Sequence, residues 1–223
     1  MNKVECINLF IKLVNESEIF KGILNNEEIK SRLEKNIETI VEDNDLPNNA
    51  EANYNMHNKI ITINPKNYNE TNLIHEMLHA LSLRTDKDGK IISSGIERGK
   101  YVGLNEGLTD YLAEKMTEKL HDGYDTQKRT ISLLTGFVNE KMLLNDYLFG
   151  TETVKEEFGE EGYDKLQQET SELIQNTISN SNLEQTFSKY RNQVQKKFNN
   201  KEITIEEYAN YMSKLFNLKK RLI

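Results

Sequence analysis

A single cysteine, Cys6, in 223 residues excludes a disulfide within the chain and fits a reducing compartment. No run approaches the ~20 apolar residues of a membrane-spanning helix. A targeting segment is also missing: residues 4–14 are partly apolar, but Glu5, Asn8 and Lys12 interrupt them and no small-residue cleavage site follows. The expectation is a soluble protein, cytoplasmic by default. Cationic charge is short, with 29 Lys and Arg against 36 Asp and Glu and a net charge of −7. That balance argues against a general binder of nucleic acid or of anionic membranes. Apolar residues make up only 36% of the chain and mean hydropathy is −0.71, so part of the chain is expected to be a solvated helical extension. No internal repeat of solenoid type is present. The abundance of Asn, Lys, Ile and Glu points to an AT-rich bacterial or phage source.

Against these absences stands His75-Glu76-Met77-Leu78-His79, an H-E-x-x-H pentapeptide in a segment that reads as a helix. Imidazoles at i and i+4 share a helical face, about 5–6 Å apart at Cβ, so both reach one metal ion. Glu76 falls beside the metal, where a general base takes a proton from zinc-activated water. The chain has only 4 histidines, and two of them fall at this spacing. Leu73, Ile74, Met77, Leu78 and Leu81 form an apolar stripe, so the helix is expected to pack into a core with its ligand edge facing a cleft.

A catalytic zinc keeps three protein ligands and one open position. The stretch Leu104 to Glu114 opens a second helical segment and offers Glu106 as the third ligand. Asp110 lies four residues on, hence on the same face, from which it can accept the outer N–H of a ligand imidazole and fix its tautomer.

These residues resemble the gluzincin metallopeptidases, of small bacterial or phage type, in which H-E-x-x-H on one helix is completed by a Glu on a following helix. Leu104-Asn105-Glu106-Gly107 is similar to the L-N-E-G of large zinc aminopeptidases, and Asn105-Glu106 with Asp110 to the N-E-x-x-x-D of thermolysin-type enzymes. The resemblance spans roughly residues 54–120. It implies His75, His79 and Glu106 as ligands of one Zn²⁺ per chain, Glu76 as base and Asp110 as the outer partner. The gap from His79 to Glu106 is longer than in either group and no G-x-M-E-N-like signature precedes the motif, so aminopeptidase specificity is not carried over.

Around the motif, Arg84 to Lys100 reads as a loop or short hairpin turning at Asp88-Gly89, a candidate lip of the cleft. Tyr54–Met56 and Lys59–Asn64 flank a His57-Asn58 turn and read as a hairpin, ended by Pro65. Ile60–Asn64 is placed in sequence to be the edge strand that pairs with extended substrate in zincins, with a plain core strand as the alternative. Tyr101 is the first candidate for steadying an oxyanion, followed by His121 and Tyr124. His57 reads as an exposed turn residue.

Residues 2–20 and 26–42 read as amphipathic helices, the second carrying Ile29, Leu33, Ile37 and Ile40 at helical spacing. Asp43 to Ala50, with Pro47, is a break. The metal helix is expected over about 69–83, the ligand helix over about 105–120, and a further core helix over 127–149. The fold class is α+β, zincin-like and mainly helical, with a small antiparallel sheet beside the metal-binding helix. Residues 1–150 form the expected metallopeptidase domain, with helices 1–45 packed on it. Residues 151–223 form a polar helical extension ending in an αα-hairpin over about 182–198 and 204–220. Thr204-Ile205-Glu206-Glu207 is a capping box for its second helix.

The function expected from the sequence is a zinc-dependent peptide hydrolase with a peptide or protein substrate. A regulatory protease acting on one protein such as a repressor, and a catalytically silent zincin-fold binding module, are the alternatives. The C-terminal hairpin is the surface expected to dock a protein partner, and neither nucleic acid nor membrane is expected.

Overall fold

The computed structural model describes residues 2–46, 50–97, 101–120, 124–136, 138–175 and 191–222. His121, Pro47 and positions 182–190 of the expected hairpin lie outside them. Helix α1 (Lys3–Glu16) starts at a reciprocal cap, in which the Asn2 side chain accepts the Glu5 N–H and Glu5 accepts the Asn2 N–H, both at 3.0 Å. It buries Cys6, Ile7, Phe10, Leu13 and Val14, a stripe at helical spacing. Helix α2 (Asn26–Asn36) stops short of the expected residue 42. The β-branched run Thr39-Ile40-Val41 forms strand β1 (Thr39–Glu42) instead.

That strand changes the sheet. β1 pairs in parallel with β3 (Ile60–Ile63), and β2 (Ala52–Asn55) pairs antiparallel with β3, in the order β1-β3-β2. The sheet is therefore mixed rather than antiparallel. β3, expected at the edge, is the middle strand because β1 occupies its other side. Among the described strands, β2 is the edge beside the helix that carries His75 and His79.

Helix α3 (Glu70–Ser82) follows, with the Asn69 side chain accepting the Asn72 N–H at 2.9 Å. Leu73, Ile74, Met77, Leu78 and Leu81 are all fully buried, which makes α3 the centre of the core. Asn36 of α2 donates to the Ala80 and Leu83 carbonyls at 2.9 and 3.2 Å and so caps its C-terminal end. The hairpin of β4 (Leu83–Thr85) and β5 (Ile91–Ser94) comes next, turning through Asp86–Gly89.

Helix α4 (Gly103–Thr117) carries Glu106 and Asp110. Where one helix was expected over 127–149, α5 (Asp125–Leu134) and α6 (Glu140–Phe149) are separated, and Asn139 caps the second by accepting the Met142 N–H at 2.9 Å. The Asp146 carboxylate accepts the Thr153 and Val154 N–H groups at 2.8 and 2.7 Å and starts α7 (Thr153–Phe158).

Helix α8 (Glu160–Gln175) packs on α4. Val154, Tyr163 and Leu166 belong to the same core as α3. The buried face of α8 is narrow and includes Gln167 and Thr170. The Ser171 hydroxyl accepts the Gly103 N–H at 2.9 Å and supplies from α8 the cap that Val102 does not give α4. Further on, residues 191–199 form α9. α10 (Ile205–Leu222) begins at the expected capping box, with Thr204 N–H to Glu207 at 2.8 Å and Glu207 N–H to Thr204 at 3.1 Å. Phe198 and Tyr208 stack at 4.6 Å between these two helices. No described helix is long and apolar enough to cross a membrane.

A Cβ at Gly103 would lie 2.5 Å from the Thr170 carbonyl and 2.7 Å from Ser171 backbone atoms. Backbone cannot yield as a side-chain tip does, so Gly103→Ala should lower unfolding free energy by about 1–3 kcal/mol. An unchanged midpoint in denaturant titration would show that α8 does not dock there.

Candidate metal centre

Two helices build the site. α3 presents His75 and His79 one turn apart, and α4 presents Glu106 and Asp110 one turn apart, so each helix offers a pair of polar groups to the other. His75 Nε2 lies 3.0 Å from His79 Nε2 and 3.2 Å from Glu106 Oε2, and His79 Nε2 lies 3.4 Å from Glu106 Oε2. A tetrahedral metal held by N and O ligands at about 2.05 Å spaces its donor atoms about 3.3 Å apart. The three separations match that spacing, and among the described residues His75, His79 and Glu106 form a group that can hold a metal ion. Their side chains are 6, 12 and 18% exposed, which leaves one side open.

The donor chemistry fits as well as the distances. Asp110, fully buried, has Oδ1 2.5 Å from His75 Nδ1. With the proton on Nδ1, the neutral ring directs the Nε2 lone pair toward the Glu106 oxygen, and two electron-rich atoms then converge with nothing between them. The metal-free protein relieves this with protons. Burial opposes charge on His75, but hydrogen bonds to Asp110 and Glu106 outweigh it and raise its pKa well above the usual histidine range. Burial likewise opposes the Glu106 carboxylate, yet His79 and His75 hold it far below the usual carboxylate range.

Glu76, one residue round from His75, is partly exposed, and its Oε2 accepts the backbone N–H of Tyr54 in β2 at 2.7 Å. The Tyr54 hydroxyl donates to the Asn36 carbonyl at 2.6 Å, which fixes β2 against α2 and α3.

Glycines bring two further segments close. A Cβ at Gly107 would lie 2.5 Å from Gln127 Cβ, so its absence lets α5 begin directly against α4. Tyr124, at the head of α5 with φ +43°, stacks on His75 with ring centroids 6.1 Å apart. Burial raises its pKa, helped by Glu106, Asp110 and Glu76 and by a hydrogen bond to Glu106. A Cβ at Gly95, where φ is +57°, would collide with Asn105 Oδ1, which accepts the Ile96 N–H at 3.0 Å. No protein-family model, no curated protein and no solved structure matches the chain. The site therefore rests on its own geometry.

His75, His79 and Glu106 come together in a group that could hold a metal ion, with Asp110 bonded to His75, while Glu76 is bonded to Tyr54. Tyr101 is half-buried two residues before α4. The tyrosine stacked on a ligand is Tyr124, ranked behind Tyr101 from sequence because only the Gly107–Gln127 approach brings it in. His57 is exposed in its turn, its N–H bonded to Asn55 at 3.0 Å. Asn105 is missed as an organiser of the 94–97 turn, although the N-E dipeptide marked its position.

Titrated with Zn²⁺, the protein should bind one ion per chain and His79→Ala should lose tight binding. Asp110→Ala should weaken affinity about 10–100-fold. Metal uptake near neutral pH should release about one proton per chain from His75. Calorimetry in buffers of different ionisation enthalpy reads that proton, and a buffer-independent heat would contradict a protonated His75 in the metal-free protein.

Proposed function

We propose that the chain is a zinc-dependent peptide hydrolase with a zincin-like site of the gluzincin kind. The observation that carries this reading is the placement of Glu76 beside the metal-ligand triad and bonded to the edge strand. A base needed only for binding metal has no reason to meet a sheet edge, whereas a base for peptide hydrolysis must meet the substrate backbone there.

Strand β2 supplies that edge. Its Asn53 and Asn55 face β3, as the Glu51 carbonyl does in accepting the Asn64 N–H at 2.8 Å, so alternation turns Ala52 and Tyr54 backbone groups outward. An extended peptide adding to this edge would run past Glu76. The role expected of Ile60–Asn64 passes to β2 because β3 is enclosed.

Zinc supplies Lewis acidity toward the scissile carbonyl and lowers the pKa of water at the site to about 7. The remaining steps belong to side chains of this chain. Glu76 Oε2 is held by Tyr54, which leaves Oε1 to accept a proton from water and to return it to the leaving amine. Asp110 keeps the His75 Nδ1 proton in place. Tyr124, whose ring stacks on His75 and whose phenol is protonated at neutral pH, is the donor we assign to the developing oxyanion in preference to Tyr101.

Glu76→Gln keeps size and polarity but cannot take a proton. Zinc content and thermal stability should stay near wild type, while turnover of a peptide library should fall by at least ~10²–10⁴. Tyr124→Phe should lower kcat by about 10²–10³ with little change in zinc content. Peptide cleavage by Glu76→Gln at the wild-type rate would remove Glu76 from the mechanism. Zinc binding without cleavage by any variant or by wild type would favour the binding-module reading.

A further inference from the structure

Glu97 lies between β5 and α4. It ends a turn that is tied down at every residue. Ser94 Oγ donates to the His79 carbonyl at 3.3 Å, and the Gly95 carbonyl accepts from Arg84 at 2.8 Å. The Ile96 N–H donates to Asn105 at 3.0 Å, the Ile96 carbonyl accepts from Gln167 at 2.8 Å, and the Glu97 N–H returns to Ser94 at 3.2 Å. One attachment is to a ligand residue, His79, and another is to the neighbour of a ligand, Asn105 beside Glu106. The turn therefore bridges the two ligand helices and holds Glu97 at their junction.

The Glu97 carboxylate is half-buried, and among the described residues no donor or cation pairs with it. The bonds of its turn to the His79 carbonyl and to Asn105 set it beside the triad; burial raises its pKa, His79 lowers it and Glu106 raises it. It is not one of the mutually close donors, which are His75, His79 and Glu106, so it lies outside the ligand cage. A divalent cation balances Glu106 and Asp110. Glu76 needs its charge to act as a base. Glu97 is a further carboxylate for which no described residue supplies a donor, and a partly buried charge of that kind is costly to keep.

We propose that Glu97 is a specificity-determining residue that receives a cationic group of the peptide, an ammonium or guanidinium, next to the scissile bond. The inference rests on the peptide-hydrolase reading and names the substrate class of that site. The turn that carries Glu97 is bonded to His79 and to Asn105, so a basic side chain next to a scissile bond held at the triad would approach Glu97 without a free terminus being required.

The test uses the zinc-loaded full chain and hydroxamate dipeptide probes with Lys, Leu or Glu at the position next to the hydroxamate. Each probe has a blocked N-terminus, and a Leu probe with a free α-amine is added. Dissociation constants come from calorimetry, so no turnover is needed. The Lys probe should bind wild type roughly ten- to hundredfold more tightly than the Leu probe, the range of a charge-assisted contact. Glu97→Gln should abolish that ratio, and Glu97→Lys should shift the preference to the Glu probe. A Glu97-dependent gain for the free-amine probe instead supports the cation site and assigns its source to the peptide terminus. The same ranking of probes in Glu97→Lys as in wild type overturns the proposal. Failure of the hydrolase reading is seen separately, as probe ranking that follows Glu97 while Lys-containing peptides remain uncleaved.

Discussion

The hydrogen bond between Asp110 and His75 is the constraint on which the site depends. A fully buried carboxylate is tolerable only when paired, and removing one partner of such a pair costs about 3–5 kcal/mol. The contact at 2.5 Å therefore does more than orient one ring. It fixes the register of α3 against α4, because His75 and Asp110 sit mid-helix and neither helix can slide without separating them. Once that register is set, His79 and Glu106, each one turn away from its helix partner, meet at the open end of the same seam. The triad is a consequence of one buried pair plus the pitch of two helices.

The rest of the fold holds this seam from both sides. On one side the small sheet brings the Tyr54 N–H to Glu76, and Tyr54 in turn is bonded through its hydroxyl to α2. On the other, α8 covers the start of α4 and takes up the Ile96 carbonyl through Gln167. Glycines occupy the points of closest approach, with Gly95 against Asn105, Gly103 against α8 and Gly107 against α5. The L-N-E-G string is thus a packing device as well as a ligand motif, since its glycine admits the segment that carries Tyr124.

Local periodicity explains what could be read from the sequence. His75 with His79, and Glu106 with Asp110, are i, i+4 pairs whose shared face follows from helical pitch alone, and the capping signals at Asn2 and Thr204 are equally local. The failures are of another kind. Ile40 fits both a helix stripe and the β-branched run Thr39-Ile40-Val41, and only pairing of β1 with β3 decided for a strand. That same pairing moved the edge from β3 to β2. Tyr124 and Glu97 reach the site through close contacts of Gly107 and through bonds to Asn105 and Gln167, tertiary facts with no local pattern. α8 looked solvated because a single narrow face, with Gln167 and Thr170 on it, enters the core.

Charge balance links folding to metal. Without a cation, His75 carries a proton between Asp110 and Glu106, leaving the buried cluster with a net charge of −1. Because His75 is raised in the folded state, its contribution to stability is present below the unfolded value of about 6.5 and fades as pH rises through the folded value. Glu106 is lowered, so its contribution is present above about 4.3 and is lost as pH falls through its folded value. The metal-free fold is thus best supported at mildly acidic to neutral pH. A divalent cation bound there would displace the His75 proton and bring the cluster of Asp110, Glu106 and the neutral imidazoles to zero charge. Its affinity must rise with pH over the range in which His75 gives up that proton. Metal and proton compete for one lone pair, the His75 Nε2, and the buried Asp110 sets the terms for both.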